Sequence, residues 1–171
     1  MLLSGCSVLL GNVRPVEETA PLSQQKASEA TLAAPWLQIS QKKDSSNAPS
    51  SFSTPEMHFQ NQETGSTLAF TSGCRKSYRK TQPSLRKIAQ QLGSGLINIQ
   101  KREQIDIEVQ GIPALRNTVT GMASGKEVTI HNVIFTREAC VYDLTLVSLR
   151  RHFESDRGAF EKVLATLPLT R

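Results

Sequence analysis

Three histidines, three cysteines and a pair of strand carboxylates are the side chains here with most chemistry to offer. His58, His131 and His152 form no H-x-H or H-x-x-x-H pair, and no Cys, Asp or Glu stands near them at zinc-site spacing. No metal and no cofactor is expected. Gly121-Met122-Ala123-Ser124-Gly125-Lys126 superficially suggests a phosphate loop. Three residues rather than four separate its glycines, and Glu127 stands where a Ser or Thr should meet magnesium. Strand-like segments flank it, so a hairpin turn is expected. Gly93-Ser94-Gly95 is too short for a nucleophile elbow and follows a helical pattern instead of a strand. A Cys–His pair would lack any marked third group to orient it. Asp106 and Glu108 share one strand parity and read as a solvated sheet edge. The expectation is no catalytic residue, and not an enzyme.

The cysteines carry more information. Leu3-Ser4-Gly5-Cys6 resembles the lipobox of bacterial lipoproteins, in which small residues precede a cysteine that receives diacylglycerol. Only five residues precede Cys6, too few for the charged and apolar regions of an export signal. Either translation starts upstream of Met1 or the match is fortuitous, and the following segment favours the first. Ser7, a non-Asp residue after Cys6, resembles the outer-membrane sorting pattern of enteric bacteria. With Cys6 assigned to lipid, Cys74 and Cys140 remain. Two cysteines in an exported domain suggest one disulfide. Cys74 ends one predicted strand and Cys140 begins another, so both sit at sheet ends where a bridge can close. The alternative is two separate buried thiols in a cytosolic protein.

Charge is distributed unevenly. The chain has 20 Lys and Arg against 15 Asp and Glu, a formal net charge of +5. No acidic residue lies between Glu63 and Glu103, yet eight of the 20 basic residues do. The other 12, set against all 15 acidic residues, leave the rest net negative. Arg75, Lys76, Arg79, Lys80, Arg86 and Lys87 concentrate this charge just before and within a predicted helix. A solvated basic face is one reading. The other is an anion-facing surface, because a helix N-terminus has unpaired N–H groups and a partial positive charge that acidic side chains normally offset. The anions met in an envelope are lipid or lipopolysaccharide phosphates and acidic proteins. Tyr78 is the only aromatic in the cluster and no nucleic-acid motif is present, so nucleic acid is not an expected partner.

The elements that must position these residues follow from periodicity. At 171 residues the chain fits one ordinary domain. Nine aromatics among 38% hydrophobic residues make its core mainly aliphatic. No stretch reaches the roughly 20 apolar residues of a membrane span. Residues 1–6 are read as the remnant of a lipoprotein signal and 7–35 as a disordered tether rich in Pro, Glu, Gln, Ser and Ala. Residues 36–171 are read as the domain. Trp36–Ile39 alternates like a short strand, and Lys42–Ser53 is loop-like. Thr67–Ser72 predicts a strand. Leu85, Ile88, Ala89, Leu92 and Leu96 keep helical spacing between Pro83 and Gly93/Gly95. Gln104–Gln110 alternates cleanly, and Pro113–Thr120 follows a turn at Gly111-Ile112-Pro113. Another turn at Gly121–Gly125 leads to the strongest strands, Glu127–Thr136 and Cys140–Leu149. His131 falls mid-strand and is expected on the sheet surface. Apolar residues of both parities suggest that the last strand is covered on both faces. Phe160, Val163, Leu164 and Leu167 predict a closing helix, capped by Ser155 or Asp156 and stopped at Pro168.

The order is strand, helix, four or five strands joined by short turns, then helix. Short turns imply antiparallel pairing, and two amphipathic helices imply an α+β layered sandwich. In this order, and in several short motifs, the chain resembles the PsbP/Mog1-like domains, including small bacterial PsbP-like lipoproteins. The motifs are Met57-His58-Phe59-Gln60, Val109-Gln110-Gly111-Ile112-Pro113-Ala114, Cys140-Val141-Tyr142-Asp143-Leu144 and Phe160-Glu161-Lys162-Val163-Leu164, and the resemblance spans Trp36 to Leu167. It implies an antiparallel β-sheet flanked by helices, an α/β/α sandwich. It also implies a binding or assembly role without catalytic residues. The expected function is therefore a lipid-anchored, periplasm-facing, non-catalytic binding or assembly module of the bacterial cell envelope, with the outer membrane favoured. The alternative is a small-ligand or lipid carrier with a cleft between sheet and helix.

Overall fold

The computed structural model describes residues 32–39 and 57–167. The expected signal remnant with Cys6, most of the tether, the loop-like stretch Lys42–Ser53 and the residues from Pro168 onward lie outside this range. Seven strands form one fully antiparallel sheet: β1 (Trp36–Gln38), β2 (Met57–Asn61), β3 (Thr67–Cys74), β4 (Ile97–Val109), β5 (Ile112–Ala123), β6 (Lys126–Arg137) and β7 (Cys140–Leu149). Their spatial order is β1-β2-β3-β7-β6-β5-β4. A short 3-10 helix (Lys76–Arg79) and helix α1 (Leu85–Leu92) connect β3 to β4, and helix α2 (Phe153–Thr166) follows β7.

Strand alternation decides which helix covers which face. Val133 and Phe135 of β6 join Phe160, Val163 and Leu164 of α2 in one core. Ile134, between them in sequence, packs with Leu115 and Ala89 of α1 in another. The helices therefore lie on opposite faces, as the sandwich reading requires. Because β6 is central and covered twice, every residue from Val128 to Phe135 is buried. Phe160, Phe135, Leu144 and Val133 are all 0% exposed. Burying side chains of this size stabilises by roughly 1.5–3 kcal/mol each. Leu96, grouped with α1 by spacing, lies past the helix end and packs instead on Val119, Val128 and Ile130.

The tight turns have a local cause. Gln110-Gly111 and Ser124-Gly125 both have two consecutive positive φ values and join strands paired to their ends. That is the two-residue hairpin whose twist suits flanking strands, with Gly at its second position. The first turn thus falls one residue earlier than the Gly-Ile-Pro reading. At Gly121 an added Cβ would lie 2.9 Å from the Ile97 carbonyl oxygen and 3.2 Å from Leu96 Cβ, so the start of β4 demands glycine there.

Several expectations are corrected. Met57–Asn61 is itself a strand, and β4 begins seven residues earlier than alternation suggested because Ile97 and Ile99 remain exposed. Leu32, expected in the tether, packs on the core. Neither Ser155 nor Asp156 caps α2, which continues directly from a 3-10 turn at Arg150–His152 without a side-chain cap. Asp156 is 2% exposed and turned inward. It accepts hydrogen bonds from Asn61 Nδ2 (2.9 Å), Thr64 Oγ1 (3.0 Å) and Ser66 Oγ (2.6 Å), with Ser148 Oγ at 3.1 Å. These donors come from the β2–β3 turn and β7, so the carboxylate fastens α2 to both. His131 is buried, not on the sheet surface: α2 lies over it, with Phe153 and Phe160 presenting ring contacts at 5.5 and 4.6 Å.

Candidate functional site: a disulfide-pinned basic shoulder

The basic segment starts where β3 ends. Cys74 and Cys140 are direct cross-strand partners, their Cα atoms 4.0 Å apart, and a disulfide joins them. The next N–H, that of Arg75, donates to the Ala139 carbonyl at 2.9 Å. This fixes the point from which the basic loop leaves the sheet. The Arg75 guanidinium lies over the Tyr78 ring, 5.7 Å from its centre. Lys76 and Arg79 sit at the ends of the 3-10 helix, and Lys80 follows, exposed. The chain then reaches Ser84 and α1.

The start of α1 has no acidic residue in its first turn, and Ser84 makes no capping hydrogen bond through its side chain. The uncapped start of α1 thus follows the basic 3-10 segment by only a few residues of chain. One expected member is partly withdrawn from it. Arg86 Nη2 contacts Asp106 Oδ2 of β4 at 2.6 Å, and Nη1 reaches Gln104 Oε1 at 3.5 Å. Both partners are well exposed, so the pair contributes at most about 1 kcal/mol, but it neutralises Arg86 locally. Asp106 is therefore a surface partner for α1, and Lys87 remains exposed.

Three polar features escaped the sequence reading. Lys126, Glu127, Leu149, Arg150 and Arg151 line an open pocket of about 280 Å³, with Arg150 Nε 3.8 Å from Glu127 Oε2. It lies at the end of β7 opposite Cys140, so cationic surface occurs at both ends of this ten-residue strand, roughly 30 Å apart. Its cations come from separate chain segments, so no local run of charge announced it. On the α1 face, Gln104 Nε2 donates to Asn117 Oδ1 (3.2 Å) and Asn117 Nδ2 to Asn132 Oδ1 (2.9 Å). Near this row, Thr145 Oγ1 lies 2.9 Å from both oxygens of Asp143. Burial among protein atoms pushes the Asp143 carboxyl up to about 7, against the opposing Thr145 hydrogen bond. On the other face, burial pulls His131 down to about 4, helped by the positive charges of Arg116 and Arg157. His131 Nδ1 is 2.7 Å from Thr118 Oγ1. A neutral, hydrogen-bonded imidazole under a helix is a packing residue.

Among the described residues, no group of three or more His, Cys, Asp or Glu is placed to hold a metal ion. No described helix is long and apolar enough to cross a membrane.

Comparison of the sequence with family models and with curated proteins gives no match. Solved structures do share its fold. A Pseudomonas aeruginosa protein of unknown function, PA94, aligns over 89% of this chain and 90% of its own at 16% identity and a TM-score of 0.52. LpqN, involved in cell envelope biogenesis of Mycobacterium tuberculosis, aligns over 82% and 83% at 12% identity and a TM-score of 0.52. The cyanobacterial PsbP protein (CyanoP) of Synechocystis aligns more loosely, over 79% and 82% at 8% identity and a TM-score of 0.48. The chain is an α+β protein, an antiparallel sheet with two helices, and PA94 and LpqN share that fold over most of its length.

Proposed function

We propose that this protein is a lipid-anchored, non-catalytic binding or assembly module of the bacterial cell envelope. The anchor is Cys6, and the contact surface is the basic shoulder formed by Arg75, Lys76, Arg79, Lys80 and Lys87, with Arg86 at its margin. Its chemistry suits phosphate on a lipid or lipopolysaccharide headgroup. The observation that carries this reading over a carrier is the packing of both helix–sheet seams. Ala89 closes the α1 seam against Leu115 and Ile134, and Phe160 and Val163 close the α2 seam against Val133 and Phe135, all at most 1% exposed. A carrier needs its cleft where these side chains lie. The lipobox-like start, the polar tether and the envelope role of LpqN support the location.

Two or more acyl chains hold a protein on a membrane stably, whereas one does so only marginally. Expressed from its native start, the protein is expected in the membrane fraction, with the Cys6 peptide carrying covalent lipid by mass spectrometry. Cys6→Ser should release it or leave it unprocessed. An unmodified Cys6 in a soluble wild type contradicts the anchor. An apolar ligand recovered in stoichiometric amount from the denatured protein would favour the carrier.

A further inference from the structure

The edge strand β4 has the properties of a pairing surface. It is 13 residues long and ends the sheet, with no described element on its outer side. Ile97, Ile99 and Ile105 are 66%, 45% and 47% exposed, three of the five large hydrophobic residues exposed in the described chain. The other two, Leu37 and Ile39, lie in or beside β1 at the opposite edge, and β1 has only three residues. Natural sheets usually guard a long edge with lysines, prolines or shortness, because unpaired N–H and C=O groups accept another strand. Along β4 the guards are Lys101, Arg102 and a register shift against β5 between Ile97 and Lys101; from Lys101 to Val109 the strand pairs regularly, and Glu103 follows the two basic residues at once.

We propose that β4 pairs antiparallel with β4 of a second copy about a two-fold axis at Arg102, continuing the sheet across the dimer. The sequence is self-complementary in that register. Lys101 stands opposite Glu103 of the partner subunit, Gln100 opposite its Gln104, and Ile99 opposite its Ile105, each relation occurring twice. Lys101 and Glu103 lie on the same face, as their register with Thr120 and Thr118 shows, and their side chains are 66% and 47% exposed. Their present 3.2 Å contact within one strand can therefore be exchanged for the cross-strand contact. The single like-charge meeting is Arg102 with itself. Its guanidinium is drawn toward α1, where a Cβ at Gly93 would lie 3.2 Å from Nη2. A two-fold pairing of equal edges closes on itself, whereas β4 on β1 would propagate without limit.

The test is sedimentation of the full chain carrying Cys6→Ser, over a range of concentrations. Wild-type sequence at β4 should give a dimer. Lys101→Glu and Glu103→Lys should each turn two attractive cross-strand pairs into repulsive ones and weaken dimerisation about tenfold or more. An equimolar mixture of the two variants should regain the dimer, because each strand then meets its opposite charge. A purely internal role for the Lys101–Glu103 contact cannot produce rescue by mixing. A monomer at every concentration, assembly that grows beyond the dimer, or a mixture no tighter than the single variants overturns the proposal.

Discussion

Reducing the Cys74–Cys140 bond is the perturbation with the largest effect that can be worked out from the fold. The two cysteines are 66 residues apart in sequence, and the closed loop contains the basic shoulder, α1, and strands β4 to β6. Closing a loop of that size removes enough freedom from the unfolded chain to stabilise the fold by about 4 kcal/mol, a model-dependent figure. Domains of this kind have only about 5–15 kcal/mol in total. The native ladder does not depend on the bond, since β3 and β7 pair at eight positions from Thr67 to Cys74. Reduction should leave the circular dichroism spectrum in place while lowering Tm by about 10–20 °C. Calorimetry with and without a phosphine reductant, and of the Cys74→Ser/Cys140→Ser double variant, measures this. Hydrogen exchange should quicken first at the Arg75 N–H, whose carbonyl partner Ala139 lies beside the bridge. A Tm shift below about 3 °C would refute the entropic account of its stabilisation. Labelling of both thiols in denatured protein purified without reductant from an oxidising compartment would refute the bridge itself.

The two groups whose titration burial shifts, His131 and the half-buried Asp143, should oppose each other. His131, held near 4 against an ordinary 6.5, takes up its proton first in the unfolded chain, so stability present above pH 6.5 falls by about 3 kcal/mol on approach to pH 4. Asp143, raised to about 7, acts in reverse, and its ionisation penalty disappears as pH falls toward its ordinary value of 3.8. Asp143→Asn should therefore be more stable than wild type at pH 8 and lose stability more steeply between pH 6.5 and 4 in urea titrations; a profile identical to wild type counts against the Asp143 assignment, and a variant whose stability does not fall over that range counts against that of His131. Asp156→Ala leaves the buried donors Asn61 and Ser66 without their acceptor and should cost about 3 kcal/mol or more in chemical denaturation, and a loss under about 1 kcal/mol contradicts the fastening role. Gly121→Ala should cost about 1–3 kcal/mol, because its Cβ meets backbone that cannot yield, and a neutral result contradicts the close approach of β4.

Periodicity made the sandwich legible, because the strands and helices that bury one face repeat at two or at 3.6 residues. Leu115 and Ile134, facing α1, and Val133 and Phe135, facing α2, write that division into adjacent positions. The bridge was legible because both cysteines fell at strand ends. What stayed hidden depended on contacts between distant residues. Asp156 looks like a cap in sequence, being an acidic residue near a helix start. It became an internal acceptor because Asn61, Thr64 and Ser66 lie 90 to 95 residues away in sequence and beside it in the fold. Arg86 counted as shoulder charge until β4 placed Asp106 against it. The first residues of β4 were missed because Ile97 and Ile99 are exposed apolar positions, which no burial pattern marks.

Co-sedimentation of the Cys6→Ser chain with vesicles tests most directly whether the basic shoulder is a binding surface. Binding is expected to anionic phospholipid vesicles and not to zwitterionic ones. It should weaken between low and near-physiological salt, where screening shortens the reach of exposed charge to about 8 Å. The Lys76→Ala/Arg79→Ala/Lys80→Ala/Lys87→Ala variant, which spares Arg75 and its contact with Tyr78, should lose it without loss of fold. Binding that ignores both salt and these substitutions, or no binding to an anionic surface at low salt, would contradict the assignment of the shoulder to phosphate headgroups.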